Sequence, residues 1–421
     1  MSTSPLFSLF PSTMVTPSPV FGFPVELTQH ILSFSHPWDV ASFSMTCRAA
    51  YTLVYHTADQ YLWRHLYNNY SFDPPCPAED PTSRRELVNW KEEFTCRMKV
   101  ELALFRGPVN LPEKLDALRI LVKMVEDSSW AIVRTGCSRN TTWLSRILRQ
   151  SLLLHNLYTV TESTEDRQVY AQLRAYLALT IDAVNDKKSL AKLMDRRDLS
   201  RAYVYNLLHY SAENKWGPLL PDGRVNWIHA EHLIDVVALN VRELPNSWAL
   251  TRPPSCLDPP RSPASAGFTK ADWAGVEDLA DGPRHPKFFK DPRFREATRL
   301  IEVKLHIVLP NDLRFRKVVR NTTPDNDIYP PLYFKGSSKG VNGNEATVEG
   351  LVTMGQDGIP RWQLVSIYDG HPQWSSTGVQ IGGIRSAMGV IGVWTTTHHD
   401  PGPFWLWKVE DNSPTHLMEF T

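Results

Sequence analysis

No lysine or arginine precedes Arg48, so the opening stretch lacks the cationic flank that a secretory signal or transit peptide uses. No apolar run approaches the roughly 18 residues of a membrane-spanning helix. The five cysteines (Cys47, Cys76, Cys96, Cys137 and Cys256) are odd in number, scattered and never spaced C-x-x-C, which argues against a disulfide framework and a thiolate zinc site. A reducing compartment, cytoplasmic or nuclear, is the expectation. Neither sign of charge is in excess: 45 Lys and Arg balance 45 Asp and Glu, unlike a generally basic nucleic-acid binder or an acidic tail protein. Also missing are a Gly-Lys-Ser/Thr phosphate loop, a G-x-S-x-G nucleophile elbow and an H-E-x-x-H zinc helix. The expectation is a chain that is not an enzyme, holds no cofactor or metal, and binds neither nucleic acid nor membrane.

What is present suits several packed bodies. The 421 residues are 42% hydrophobic, enough for two to four domains with real cores, and the 32 prolines shorten helices because each removes an N–H. Residues 1–19 carry no charge and no periodic face, and read as a flexible leader. From Phe21 the pattern changes. Pro24 suits a first helical turn, and Leu27, Ile31 and Phe34 then share one face. His36-Pro37 breaks this helix, Trp38 to Met45 restarts it, and Asp59 to Tyr67 adds another. So small a set of helices leaves much apolar area wet, so something else must cover it. After a proline-rich gap, helical patterns run over 84–105, 112–126, 141–158, 167–180, 188–210 and 226–244. Leu144, Leu148 and Leu152, like Leu233, Val237 and Val241, keep a four-residue step typical of a core stripe.

Beyond a stretch dense in Pro, Gly and Ser the period switches to two: Ile301, Val303, Leu305, Ile307 and Leu309 alternate with polar residues, as in a half-buried strand. Ala346 to Met354, Ile359 to Tyr368 and Gly389 to Thr397 read as further strands, with Gln356-Asp357-Gly358 as a turn. From Asp325 onward lie 13 of the 21 glycines and 10 acidic against 5 basic residues, so the tail differs in composition from what precedes it. The fold class expected is multidomain α+β: N-terminal helices over 20–70, an all-helical middle over 71–245, a linker over 246–270, and over 271–421 an antiparallel β-sheet or β-barrel.

Phe23-Pro24-Val25-Glu26-Leu27, Ile31-Leu32-Ser33-Phe34, Asp39-Val40-Ala41-Ser42-Phe43-Ser44, Cys47-Arg48, Tyr51 and Leu62-Trp63-Arg64 together closely resemble an F-box, over about Phe21 to Tyr67. Phe23 stands where the family usually has Leu before Pro, and Val40 where it usually has Leu, and both remain apolar. The resemblance implies a compact set of helices docking on a small Skp-type adaptor, which a cullin scaffold holds, while the rest of the chain presents an unidentified protein substrate for ubiquitin transfer. It also implies that Phe23, Pro24, Leu27, Ile31, Leu32, Val40 and Phe43 contact the adaptor, with Cys47, Tyr51 and Trp63 packing internally.

The tail, through Arg361-Trp362, the glycine-rich run from Gly378 to Ser386, Gly389 to Trp394 and Phe404-Trp405-Leu406-Trp407, looks like the carboxy-terminal region of a group of F-box proteins. Glycines within strands there suggest a curved sheet or closed barrel, with tryptophans at its mouth. Trp374, Arg385, Trp394, His398, His399 and Trp405 are candidates for a recognition surface, since aromatics and Arg supply most interface hot spots. The same tryptophans read more readily as core plugs, since large aromatics usually build cores before sites. An alternative function follows from the barrel: a small apolar ligand held in its lumen, with the N-terminal helices coupling that binding to protein degradation. His229 and His232 flank Glu231 at a spacing that suits packing better than metal binding, and Arg314 to Arg320 is a basic run that reads as an exposed face.

Overall fold

The computed structural model describes residues 22–57, 59–70, 72–73, 88–106, 111–135, 138–150, 164–178, 187–242, 267–269, 285–290, 298–315, 329–340, 343, 345–384, 386, 388–396, 400–407 and 418–420. The expected leader, most of the expected linker, Leu152, and positions 316–320 of the basic run lie outside them. The chain divides into two compact units, Met1–Phe72 with Leu87–Met98, and Asp73–Glu86 with Lys99–Thr421.

The first unit holds α1 (Val25–Ser33), α2 (Pro37–Ser44), α3 (Arg48–Tyr55), α4 (Tyr61–Asn69) and the start of α5 (Trp90–Arg106). Proline sets the breaks. Pro24 precedes α1, and Pro37 begins α2 behind His36, whose Nδ1 accepts from the Trp38 amide at 3.3 Å. Leu53, Val54, Leu62, Trp63, Leu66, Tyr67, Phe72 and Phe94 form the buried interior. Trp63 donates its indole N–H to the Val54 carbonyl at 3.1 Å, so its one polar atom is satisfied inside. α5 closes this interior with Phe94, and with Arg97 lying over the Tyr67 and Phe72 rings at 5.0 and 5.4 Å while ion-paired to Glu93.

The second unit joins helices to a sheet. α6 (Leu111–Thr135), α7 (Arg139–Gln150), α8 (Thr164–Leu177), α9 (Lys187–Val204) and α10 (Trp227–Arg242) follow the expected order. α10 packs on α8, α9 and the sheet, and Leu233, Val237 and Val241 are at most 1% exposed, as their four-residue step predicts. A boundary between helical middle and β tail does not separate compact units, because both belong to the second one. A turn from the helical part is pinned to the sheet: Val225 donates its amide to the Asp357 carboxylate at 3.0 Å, and Arg361 donates to the Gly223 carbonyl at 3.1 Å while paired with Asp357.

The described strands are β1 (Gly267–Thr269), β2 (Thr298–Leu300), β3 (Glu302–Val308), β4 (Leu332–Lys339), β5 (Glu345–Met354), β6 (Pro360–Tyr368), β7 (His371–Gln380), β8 (Val390–Thr396), β9 (Pro401–Leu406) and β10 (Met418–Phe420). They form one antiparallel sheet in the order β10-β2-β1-β9-β8-β7-β6-β5-β4-β3. The expected antiparallel sheet is present, and the closed barrel is not: among the described residues no ladder joins β3 to the other end of the order. β2, second in the order, and β3, last in it, are parted in the chain by Ile301 alone. Among the described residues the sheet thus lacks the seam that closes a barrel, and Trp394 and Trp407, 5% and 4% exposed, are packed into the body.

Glycine sets how closely the strands' side chains nest. A Cβ at Gly350 would meet the Phe334 ring at 2.3 Å, and one at Gly402 the Trp394 ring at 2.2 Å. Each glycine thus vacates the space that a ring on the neighbouring strand fills. Among the described residues β1 pairs with β9 at Phe404 and Trp405, so Pro401 and Pro403 fall outside that ladder, where a missing N–H is tolerated.

Two outcomes follow. Asp357→Ala removes the partner of a guanidinium that is 5% exposed and should cost roughly 3 kcal/mol in urea unfolding, because the remaining charge is buried unpaired. Gly402→Ala should cost about 2 kcal/mol in the same assay by driving the Trp394 ring off its rotamer.

Candidate functional site

Helix α1 carries its apolar stripe on the water side. Leu27, Ile31 and Phe34 are 52, 61 and 73% exposed, whereas Thr28, Gln29 and Ser33 are 4, 2 and 1% exposed. An amphipathic helix serving only its own fold would be rotated the other way. The inward polar groups are partly satisfied at short range: Thr28 Oγ1 donates to the Pro24 carbonyl at 3.5 Å and Ser33 Oγ to the His30 carbonyl at 2.7 Å. Gln29 Nε2 is buried with no partner among the described residues. The orientation is held from α4, whose Asn69 side chain donates to the Ser33 carbonyl at 2.9 Å and whose Tyr61 hydroxyl lies 3.0 Å from His30 Nδ1. Leu32 is the inward apolar residue of α1, 7% exposed.

The exposed apolar surface continues outside the stripe. Phe23 and Val25 at the start of α1 are 54 and 49% exposed, and Trp38, Met45 and Tyr51 around α2 and α3 are 47, 77 and 49% exposed. Of the residues expected to touch an adaptor, Phe23, Pro24, Leu27 and Ile31 lie on the surface and Phe43 is half-buried. Leu32 and Val40 need correcting: at 7 and 2% exposure they pack the interior of their own unit, because on α1 and α2 they occupy the side opposite the water-facing residues. Trp63 packs internally as expected, while Cys47 and Tyr51 do not. Val25, Phe34, Trp38 and Met45 are surface residues absent from the expected contact set. The 3.6-residue period placed Phe34 beside Leu27 and Ile31, and so carried a usable signal for it.

The tail candidates fall differently. Arg385, His398 and His399 lie outside the described residues. Trp405 is fully buried and donates its indole N–H to the Met388 carbonyl at 2.7 Å, a core role. Trp394 is 5% exposed and stacks 5.9 Å from half-buried Trp374, which also meets Tyr368 at 5.5 Å. These rings form an aromatic row that runs from buried Trp394 to half-buried Trp374 and Tyr368.

The histidines of the helical body also turn inward, each toward its own partner. His229 Nε2 lies 3.1 Å from the Tyr210 hydroxyl, Glu231 is held by Arg174 at 2.7 Å, and His232 Nδ1 lies 2.9 Å from Ser200 Oγ. Among the described residues no group of three or more His, Cys, Asp or Glu is placed to hold a metal. Ser200 also approaches Asp235 at 3.2 Å, but it is fully buried, so this Ser, His and Asp contact has no route to a substrate. Burial pushes His229 down to about 3, helped by His209 and His232; it pushes His232 down to about 4, against the pull of Asp235.

Both imidazoles are neutral in the folded chain and titrate near 6.5 once unfolded, so the unfolded state binds more protons as pH falls. The stability these two imidazoles contribute should be complete above about pH 7.5 and decline through pH 6.5 to 5, while Asp235, whose carboxyl burial pushes up to about 6, takes up its proton in the folded state and opposes that decline below pH 6. Urea unfolding at stepped pH measures the slope, and His229→Gln should flatten it.

Residues 23–69 match the family model described as F-box-like. No curated protein and no solved structure matches the chain. Among the described residues no helix is long and apolar enough to cross a membrane.

Proposed function

Because the chain is an F-box domain-containing protein, we propose that it is a substrate receptor of a Skp-cullin-F-box ubiquitin ligase, with the exposed stripe of the first unit docking on a Skp-type adaptor. The observation that carries this reading is the inverted orientation of α1, which leaves Leu27, Ile31 and Phe34 wet while Thr28, Gln29 and Ser33 are buried. Each aliphatic or aromatic side chain covered by a partner contributes roughly 1.5 to 3 kcal/mol of transfer free energy before ordering costs. Three or four such anchors are enough for a stable complex. The chain itself performs no bond chemistry in this reading. It raises the concentration of a bound target near a ubiquitin-charged enzyme held by the cullin, a gain from proximity alone.

The test is co-purification of the full chain with a Skp-type adaptor. Pro24→Ala combined with Ile31→Glu should lower affinity about a hundredfold, equivalent to about 3 kcal/mol, because a carboxylate replaces an apolar anchor. The far-ultraviolet circular dichroism and thermal midpoint should stay unchanged, since Pro24 and Ile31 are exposed. Undiminished recovery of the folded double variant would refute the assignment.

A further inference from the structure

One face of the sheet carries an apolar groove built in register. Ile307 of β3 stands opposite Phe334 of β4, and two residues along β4, Leu332 stands in line with Val352 of β5 and Trp362 of β6. Partners in register and residues two apart on one strand share a face, so Leu305 joins them. With Gln380 of β7 and Ile384 beyond it, these side chains line a cavity of about 390 Å³ that spans the face from β3 to β7. Its floor is aromatic: Phe334 is 5% exposed, and its ring lies 5.4 Å from that of half-buried Trp362. Its rim is aliphatic and wet, with Ile307, Leu332 and Ile384 at 74, 49 and 36% exposure. Among the described residues that line it there is no Asp, Glu, Lys or Arg.

What fits the groove follows from how its polar groups are used. Gln380 Oε1 accepts from the Trp362 indole at 3.3 Å, and Gln380 Nε2 donates to the carbonyls of Gly383 and Ile384 at 3.0 and 2.8 Å. The peptide groups beneath the groove are engaged as well, because β4, β5 and β6 are each laddered on both sides. A polypeptide laid across this face would bury N–H and C=O groups with nothing to receive them. The same walls disfavour an ion, whose lost hydration nothing here replaces. A molecule with neither charge nor peptide groups meets no such penalty, and the volume lies within the range of small-molecule sites.

We propose that this groove is a binding site for a small, neutral, apolar molecule, seated on the Phe334 and Trp362 rings and enclosed at its rim by Ile307, Leu332 and Ile384. The site needs no closed barrel, since its walls are side chains of one sheet face, and it is separate from adaptor docking.

The experiment titrates the full chain with the neutral dye N-phenylnaphthylamine, whose fluorescence rises in apolar surroundings, and with anilinonaphthalene sulfonate, which has the same rings and a negative charge. The neutral dye should saturate, bind at least tenfold more tightly than the sulfonate, and be displaced by decanol. Ile307→Asp and Leu332→Asp should each weaken the neutral dye at least tenfold. Both residues are exposed, so these variants should keep the wild-type thermal midpoint. The wet stripe of α1 is the competing surface for such a dye, so the Pro24→Ala, Ile31→Glu variant serves as control and should leave the titration unchanged.

No saturable binding, equal binding of the sulfonate, or loss of signal in the Pro24→Ala, Ile31→Glu variant rather than in Ile307→Asp overturns the proposal. So does displacement of the dye by a decapeptide alternating Val with Ser at concentrations where decanol leaves it bound, which would assign the groove to a protein segment. A concentration-dependent doubling of mass in sedimentation that Ile307→Asp abolishes also overturns it, in favour of a second copy of the chain. Ile307→Asp should keep the adaptor, so failure of either reading leaves the other standing.

Discussion

Everything proposed for the first unit depends on one constraint: α1 is held with its apolar stripe in water. The hold comes from groups that pay no attention to hydrophobicity, a side-chain amide of α4 on the Ser33 carbonyl and a tyrosine hydroxyl on His30. With the helix fixed in that rotation, Thr28, Gln29 and Ser33 must be buried, and Gln29 keeps an amide with no partner among the described residues. Such an arrangement costs stability in the isolated chain and is recovered only when another surface covers Leu27, Ile31 and Phe34. The remaining interior is correspondingly aromatic, since few side chains must supply the burial: Trp63, Tyr67, Phe72 and Phe94 are each 7% exposed or less.

The second unit solves a different problem, joining helices to a sheet as one body. Apolar packing of α10 is one half of the solution. The other is ionic and directional: Asp357 and Arg361 sit in the turn and strand between β5 and β6 and reach Val225 and Gly223. Burial lowers the affinity of the Arg361 guanidinium for its proton, and Asp357 opposes that shift. Within the sheet, Gly350 and Gly402 make room for the Phe334 and Trp394 rings of the adjacent strands.

Much of the helical order was legible because a four-residue step and a proline break are local signals. Leu233, Val237 and Val241 face the core as their spacing requires. β3, β5, β6 and β8 were legible from alternation and a glycine turn. β4, β7 and β9 were not, because their sequences mix Lys, Ser and Pro with aromatics and their identity comes from neighbours. β7 did carry one missed sign: Asp369-Gly370, with φ of 49 and 78°, joins Tyr368 to His371 as a two-residue hairpin turn. The tail tryptophans show the limit of residue type as a guide to sites, since Trp405 supplies core area and an internal hydrogen bond rather than contact surface.

The sequence by itself determined the existence of the N-terminal helices, the apolar character of their stripe and the change from a helical to a β period along the chain. These follow from nearest-neighbour sterics and from periodicity, which act over a few residues. Tertiary structure alone decided which side of α1 meets water, which of Leu32 and Ile31 is available to a partner, and where the sheet stops. Those depend on contacts between residues far apart in sequence: Asn69 with Ser33, and the pairing of β1 with β9 and of β10 with β2.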